Sequence, residues 1–135
     1  MRVGGMNHFL LPGEESEAVL FESVHYGVHL MDQLLRKLLE QGALRDNLKG
    51  KLFGGSSTVP NLGSIGSANA QFAKDFLVRE KINFAGGSVC GERARRVEFR
   101  PSTGEATQML IAPPTNPINT AAPFSAHFQE KIEAF

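Results

Sequence analysis

With 135 residues, 41% of them hydrophobic and 21% charged, the chain has the size and balance of one domain that buries a core without disulfides or metals. Lys+Arg and Asp+Glu both total 14, which argues against a nucleic-acid binder, whose surface must be basic. No apolar run approaches the roughly 20 residues of a membrane helix, Met1 to Gly5 does not resemble a signal peptide, and the single Cys90 forms no internal disulfide and has no zinc-type spacing. The expectation is a cytoplasmic protein with no membrane insertion.

In chain order, Gly4-Gly5 lets backbone approach closely, and Asn7 and His8 follow on neighbouring positions. In an extended segment their side chains point to opposite faces. Phe9 to Leu11 reads as a short buried strand closed by a Pro12-Gly13 turn, and Glu14 to Glu17 as an acidic, solvated loop. Met31, Leu34, Leu35 and Leu38 form one apolar stripe, which predicts a helix from Tyr26 to Gln41 with Gly42 as its stop. Leu48 to Phe53 reads as a strand ending at Gly54-Gly55, and Ser56 to Asn61 as a loop. A second helix is expected from Gly66 to Glu80, capped by Ser67, with Phe72, Ala73, Phe76 and Leu77 on one face. Ile82 to Ala85 is a short strand running into Gly86-Gly87. Arg96 to Arg100 alternates strictly, Pro101 to Gly104 is a turn, and Ala106 to Ile111 returns as a hairpin partner. Prolines at 113, 114, 117 and 123 mark residues 112–135 as a flexible tail beyond a domain of residues 1–111. Phe128, Ile132 and Phe135 suit a brief helix from Phe124 to Phe135. The fold class is α/β, with mixed or antiparallel strands in stacked sheets and two helices covering one face.

Gly4-Gly5-Met6-Asn7-His8-Phe9-Leu10-Leu11-Pro12 resembles the opening motif of the chemoreceptor glutamine deamidases, the CheD family of bacterial chemotaxis. The resemblance continues in family order through Lys51 to Gly55, through Ile65-Gly66 with Asn69 and Phe72, and through Arg95-Arg96-Val97, Phe99-Arg100-Pro101 and Thr103-Gly104. Cys90 and Ala94 depart from it, falling where the family usually has Gly. The resemblance implies an α/β/β sandwich and deamidation of selected glutamines on methyl-accepting chemotaxis receptors. It implies no metal and no organic cofactor. In such chemistry a Cys thiolate attacks the carboxamide, an imidazole shuttles protons, ammonia leaves, and water hydrolyses the thioester to glutamate. The resemblance makes His8 the catalytic base, and Asn7, Gly54 and Gly55 are the candidates for substrate binding. The family nucleophile and a Thr that orients the His come from a segment ahead of the glycine motif. Only seven residues precede His8 here and none is Cys, so the first strands are expected to be missing and one sheet incomplete. The alternative is a non-catalytic module that docks to receptors or to a CheC-type phosphatase.

Other groups carry weaker signals. Cys90 has Arg93, Arg95 and Arg96 nearby to lower its pKa, but it is expected to be an incidental small residue. His25 and His29 have i, i+4 spacing without a third ligand. Arg95 and Arg96 suit either acidic partner side chains or charge pairs at a sheet edge.

Overall fold

A computed structural model describes residues 2–10, 17–57, 63–112 and 130–134, with the backbone alone for 17–25, 63–64 and 130–134. Strand β1 (Gly5–Phe9) is followed by helix α1 (Glu17–Glu40), a 3-10 turn (Arg45–Asn47), β2 (Lys49–Gly54), α2 (Gly63–Arg79) and β3 (Asn83–Val89). The hairpin β4 (Arg95–Arg100) and β5 (Glu105–Leu110) comes next, then β6 (Glu130–Ala134).

The larger sheet has the order β1-β6-β2-β3 and the hairpin forms a second sheet. Strands β2 and β3 are parallel and joined through α2, while β6 runs antiparallel to both β1 and β2. A parallel pair needs a long crossover, and α2 supplies it. One face of the larger sheet carries both helices. Phe9 and Leu52 from the strands pack there with Met31, Leu35 and Leu38 of α1 and Ala73, Phe76 and Leu77 of α2. Phe9 and Phe72 meet edge to face, with ring centroids 5.3 Å apart, the geometry that ring quadrupoles favour. The hairpin lies over the opposite face. Lys51 Nζ donates to the Gly104 carbonyl at 2.8 Å. A Cβ on Gly4 would stand 2.8 Å from Pro101 O and 3.1 Å from Phe99. Helices, sheet and hairpin therefore stack as α/β/β, an α/β fold with mixed strands and two helices on one face.

The differences from sequence expectation have local causes. Strand β1 begins at Gly5 and ends at the buried Phe9, whereas Leu10 is exposed and Leu11 lies outside the described residues. Gly5 belongs inside the strand because a Cβ there would meet Leu34 at 2.7 Å. Helix α1 starts at Glu17, well before Tyr26, so Glu17 is helical. The rest of the expected acidic loop, residues 14–16, lies outside the described residues. Helix α2 starts at Gly63, which leaves Ser67 within the helix rather than at its cap. Strand β3 runs through Gly86 and Gly87 to Val89. Those glycines form a bulge: both have positive φ, the register shifts between Gly50 and Leu52, and a Gly87 Cβ would lie 1.9 Å from Leu52 O. The terminal helix expected over Phe124 to Phe135 is overturned at residues 130–134, which are strand; 112 is described without regular structure, and 113–129 lie outside the described residues. Two parallel strands, β1 and β2, each offer unpaired backbone to the space between them. An antiparallel segment satisfies both, which outweighs a helical spacing of three apolar residues.

Candidate functional site

Alternation along β1 sorts the opening motif into two faces. Gly5, Asn7 and Phe9 look towards the helices, while Met6 and His8 look outward and are exposed. Asn7 Nδ2 donates to Met31 Sδ of α1 at 3.5 Å, a weak contact, and its buried Oδ1 has no partner. Asn7 and His8 thus share no face, and a substrate lying over the imidazole is out of reach of the Asn7 amide.

Register gives the neighbours of His8. It pairs with Lys131 of β6, which pairs in turn with Phe53 of β2, which pairs with Ser88 of β3. Phe53 is buried. The His8 ring stands on the hairpin side of the sheet, at the edge strand among the described residues. Three interstrand spacings separate β1 from β3, so His8 and the Cys90 segment are roughly 14 Å apart. That gap is far beyond hydrogen-bond reach.

Gly54 and Gly55 lie in a packed junction at the end of β2. Both have positive φ and are buried. The Gly54 carbonyl accepts from Cys90 N at 2.8 Å and from Arg95 Nη1 at 3.2 Å. The Gly55 carbonyl faces α2, where a Cβ on Gly66 would come within 2.5 Å of it. Asn69, buried one turn further on, donates from Nδ2 to Ile65 O at 2.7 Å. These contacts account physically for the glycine turn and for the Ile-Gly-x-x-Asn start of the helix: the two elements meet backbone to backbone.

Arg95 braces the same corner. Besides Gly54 it donates to Ser88 Oγ at 3.2 Å and to the Cys90 carbonyl. Burial holds its guanidinium below the usual value, partly offset by an electrostatic contribution from Cys90. Arg96 instead pairs across 3.6 Å with Glu98 in an exposed contact, which is the sheet-edge pairing. Cys90 is half-buried and has φ +65, a left-handed conformation that suits Gly and strains other residues. His29 shares a 3.0 Å hydrogen bond with Gln33, and the His25 side chain lies outside the description. Among the described residues no three His, Cys, Asp or Glu side chains are grouped to hold a metal, and no helix is long and apolar enough to cross a membrane.

Sequence reasoning passed over a cleft at the other end of the hairpin side, where Arg2, Lys49 and Lys51 gather. The signal was present in Lys49-Gly50-Lys51, since residues two apart on a strand share a face.

These features define an α/β/β domain with an imidazole displayed on an edge strand and a glycine-braced corner opposite. The model of the CheD chemotactic sensory transduction family matches residues 10–109, and the chain belongs to that family. It is 48% identical over 110 residues to a probable chemoreceptor glutamine deamidase CheD of Rhizobium meliloti (strain 1021), an overlap of 81% of this chain and 60% of that protein. The same name is carried by a relative from Acidiphilium cryptum (strain JF-5), 48% identical over 82% of this chain and 59% of the relative. A third, from Cereibacter sphaeroides, is 46% identical over 81% and 54%. The chain thus spans about 60% or less of the length of these curated relatives.

Proposed function

We propose that the chain carries the catalytic base, His8, of a receptor glutamine deamidase. It activates a thiol, then protonates the departing ammonia, converting glutamine side chains of methyl-accepting chemoreceptors to glutamate in the cytoplasm. The observation that carries this reading is the opening motif, with its imidazole set outward on β1 and exposed. The family relationship supports it, since the relatives are named for this reaction. Asn7, Gly54 and Gly55 serve the site from beneath: Asn7 locks β1 to α1, and the glycines lock β2 to α2.

A thiol must stand within hydrogen-bond reach of His8, and Cys90 is three strands away. The nucleophile is therefore assigned to a Cys-bearing strand paired along the outer edge of β1. That distance also favours one second reading, in which these 135 residues alone act as a docking module for receptors or a CheC-type phosphatase.

Mass spectrometry of a receptor cytoplasmic fragment separates the readings by the mass gain of Gln to Glu. The 135-residue chain should give no conversion. The same chain carrying the preceding Cys-bearing strand of a relative should convert, and His8→Ala in that protein should abolish turnover while receptor binding persists. Turnover retained after His8→Ala removes His8 from the mechanism. Conversion by the 135 residues that is lost in Cys90→Ser would make Cys90 the nucleophile.

A further inference from the structure

The hairpin side of the larger sheet holds a cleft of about 590 Å³, bounded by the segment before β1, the loop after α1, the start of β2, Ala85 of β3 and the β4–β5 turn. Val3, Ala43, Leu44 and Ala85 are apolar residues of its lining, and Leu44 is 67% exposed. Its charged lining residues are all cations: Arg2, Lys49 and Lys51. Lys51 is tied to the Gly104 carbonyl, so the outward charge of the cleft resides on the exposed Arg2 and Lys49. The neutral donors Asn47 and Thr103 complete the rim.

We infer that this cleft receives an acidic peptide segment, a run of carboxylate side chains carrying an apolar residue. Two observations select that occupant. The two outward cations come from separate elements, Arg2 ahead of β1 and Lys49 on β2, with apolar lining residues beside them, so they match charges spread along a chain better than one compact anion. The chain as a whole has no net charge, which leaves no general field to hold a nucleic-acid backbone. Carboxylates meeting Arg2 and Lys49 form charge-assisted hydrogen bonds, while an apolar side chain covers Val3 and Leu44. Lys49 of this site lies roughly 17 Å from His8 across the sheet, and its binding does not depend on the deamidation reading.

The test is a titration of isotopically labelled protein, followed by amide NMR, with an acetylated and amidated Glu-Glu-Leu-Glu-Glu peptide. Amides of Lys49, Lys51, Thr103 and Gly104 should shift together. The Gln-Gln-Leu-Gln-Gln peptide should bind at least about tenfold more weakly. Lys49→Glu and Arg2→Glu, both exposed positions, should each weaken the acidic peptide by about tenfold or more without moving the melting midpoint, and added salt should weaken it further. Shifts mapping elsewhere, equal binding of the glutamine peptide, or displacement of the peptide by inorganic phosphate at matched ionic strength would each overturn the assignment.

Discussion

Gly66→Ala sets two effects of opposite sign against each other. Alanine in place of glycine inside a helix ordinarily stabilises by about 1 kcal/mol, and Gly66 is the fourth residue of α2. Yet the new Cβ would stand 2.5 Å from Gly55 O and 2.9 Å from Ser56 O, against an ordinary contact of 3.4 Å or more. Backbone must retreat by nearly an ångström. It is poorly placed to do so, because Gly54 is held by Cys90 and Arg95, and Ser57 N donates to Gly91 O at 2.8 Å. Overpacking of this kind costs about 1–3 kcal/mol, and more where rigid backbone is struck. The net expectation is a loss of about 1–2 kcal/mol, a fall in melting midpoint of roughly 3–10 °C. Circular dichroism melts with parallel urea titrations measure it. Val78→Ala, at a helical position 77% exposed, is the control and should leave stability unchanged or slightly raised. A midpoint for Gly66→Ala at or above the parent would refute the backbone-contact argument, since helix propensity would then have won.

Ile132→Pro should lower the melting midpoint by 5 °C or more, about 1–3 kcal/mol, because β6 is paired on both sides, with Ile132 opposite Asn7 and Leu52, and Pro has no N–H to donate to whichever neighbour that position faces; an unchanged melt would show that the sheet closes without β6. Cys90→Gly should stabilise by about 1 kcal/mol in chemical denaturation, since Cys90 holds a left-handed φ of +65. A loss of stability there would mean that the half-buried thiol contributes more than the strain it imposes. Burial pushes the Glu80 carboxyl up, but hydrogen bonds and charge from Arg45 (2.5 Å) and Arg79 (3.2 Å) outweigh that and hold it below its ordinary value. A depressed carboxyl contributes stability above its unfolded-state pKa and loses it as pH falls through the folded one. The urea midpoint gap between the parent and Glu80→Gln should therefore be present at neutral pH and close in acid; a gap that widens in acid would reverse the sign.

Local chemistry made much of the fold legible. Strict alternation from Arg96 to Arg100 with a Pro-Ser-Thr-Gly turn gave the hairpin, because pleat and turn are both short-range. The faces of α1 and α2 followed from helical spacing, and Met31, Leu38, Phe76 and Leu77 are indeed buried. The opposed faces of Asn7 and His8 followed from strand period. Glycines were harder to read. Gly86-Gly87 reads as a stop, yet the pair continues β3 as a bulge, and only the Leu52 backbone across the ladder explains why. Residues 130–134 misled for a related reason: Phe128, Ile132 and Phe135 carry a helical spacing, whereas the demand for a strand arises in β1 and β2. The distance between His8 and Cys90 was equally hidden, since it depends on strand order. The basic cleft draws on five separate segments, so no single stretch of the sequence displays it.

The position of β6 bears on how fast the protein reaches this structure. Gly5 pairs with Ala134, so two neighbours in the sheet are separated by nearly the whole sequence. Closing so long a loop is entropically unfavourable until both ladders of β6 form, and folds dominated by such non-local pairings fold slowly. The β2-α2-β3 unit and the β4–β5 hairpin involve only nearby residues and can assemble early. Until β6 arrives, β1 and β2 present open backbone edges, and a strand from another copy of the chain can occupy the same place. Refolding at high protein concentration therefore favours exchange of β6 between molecules, a route to swapped dimers.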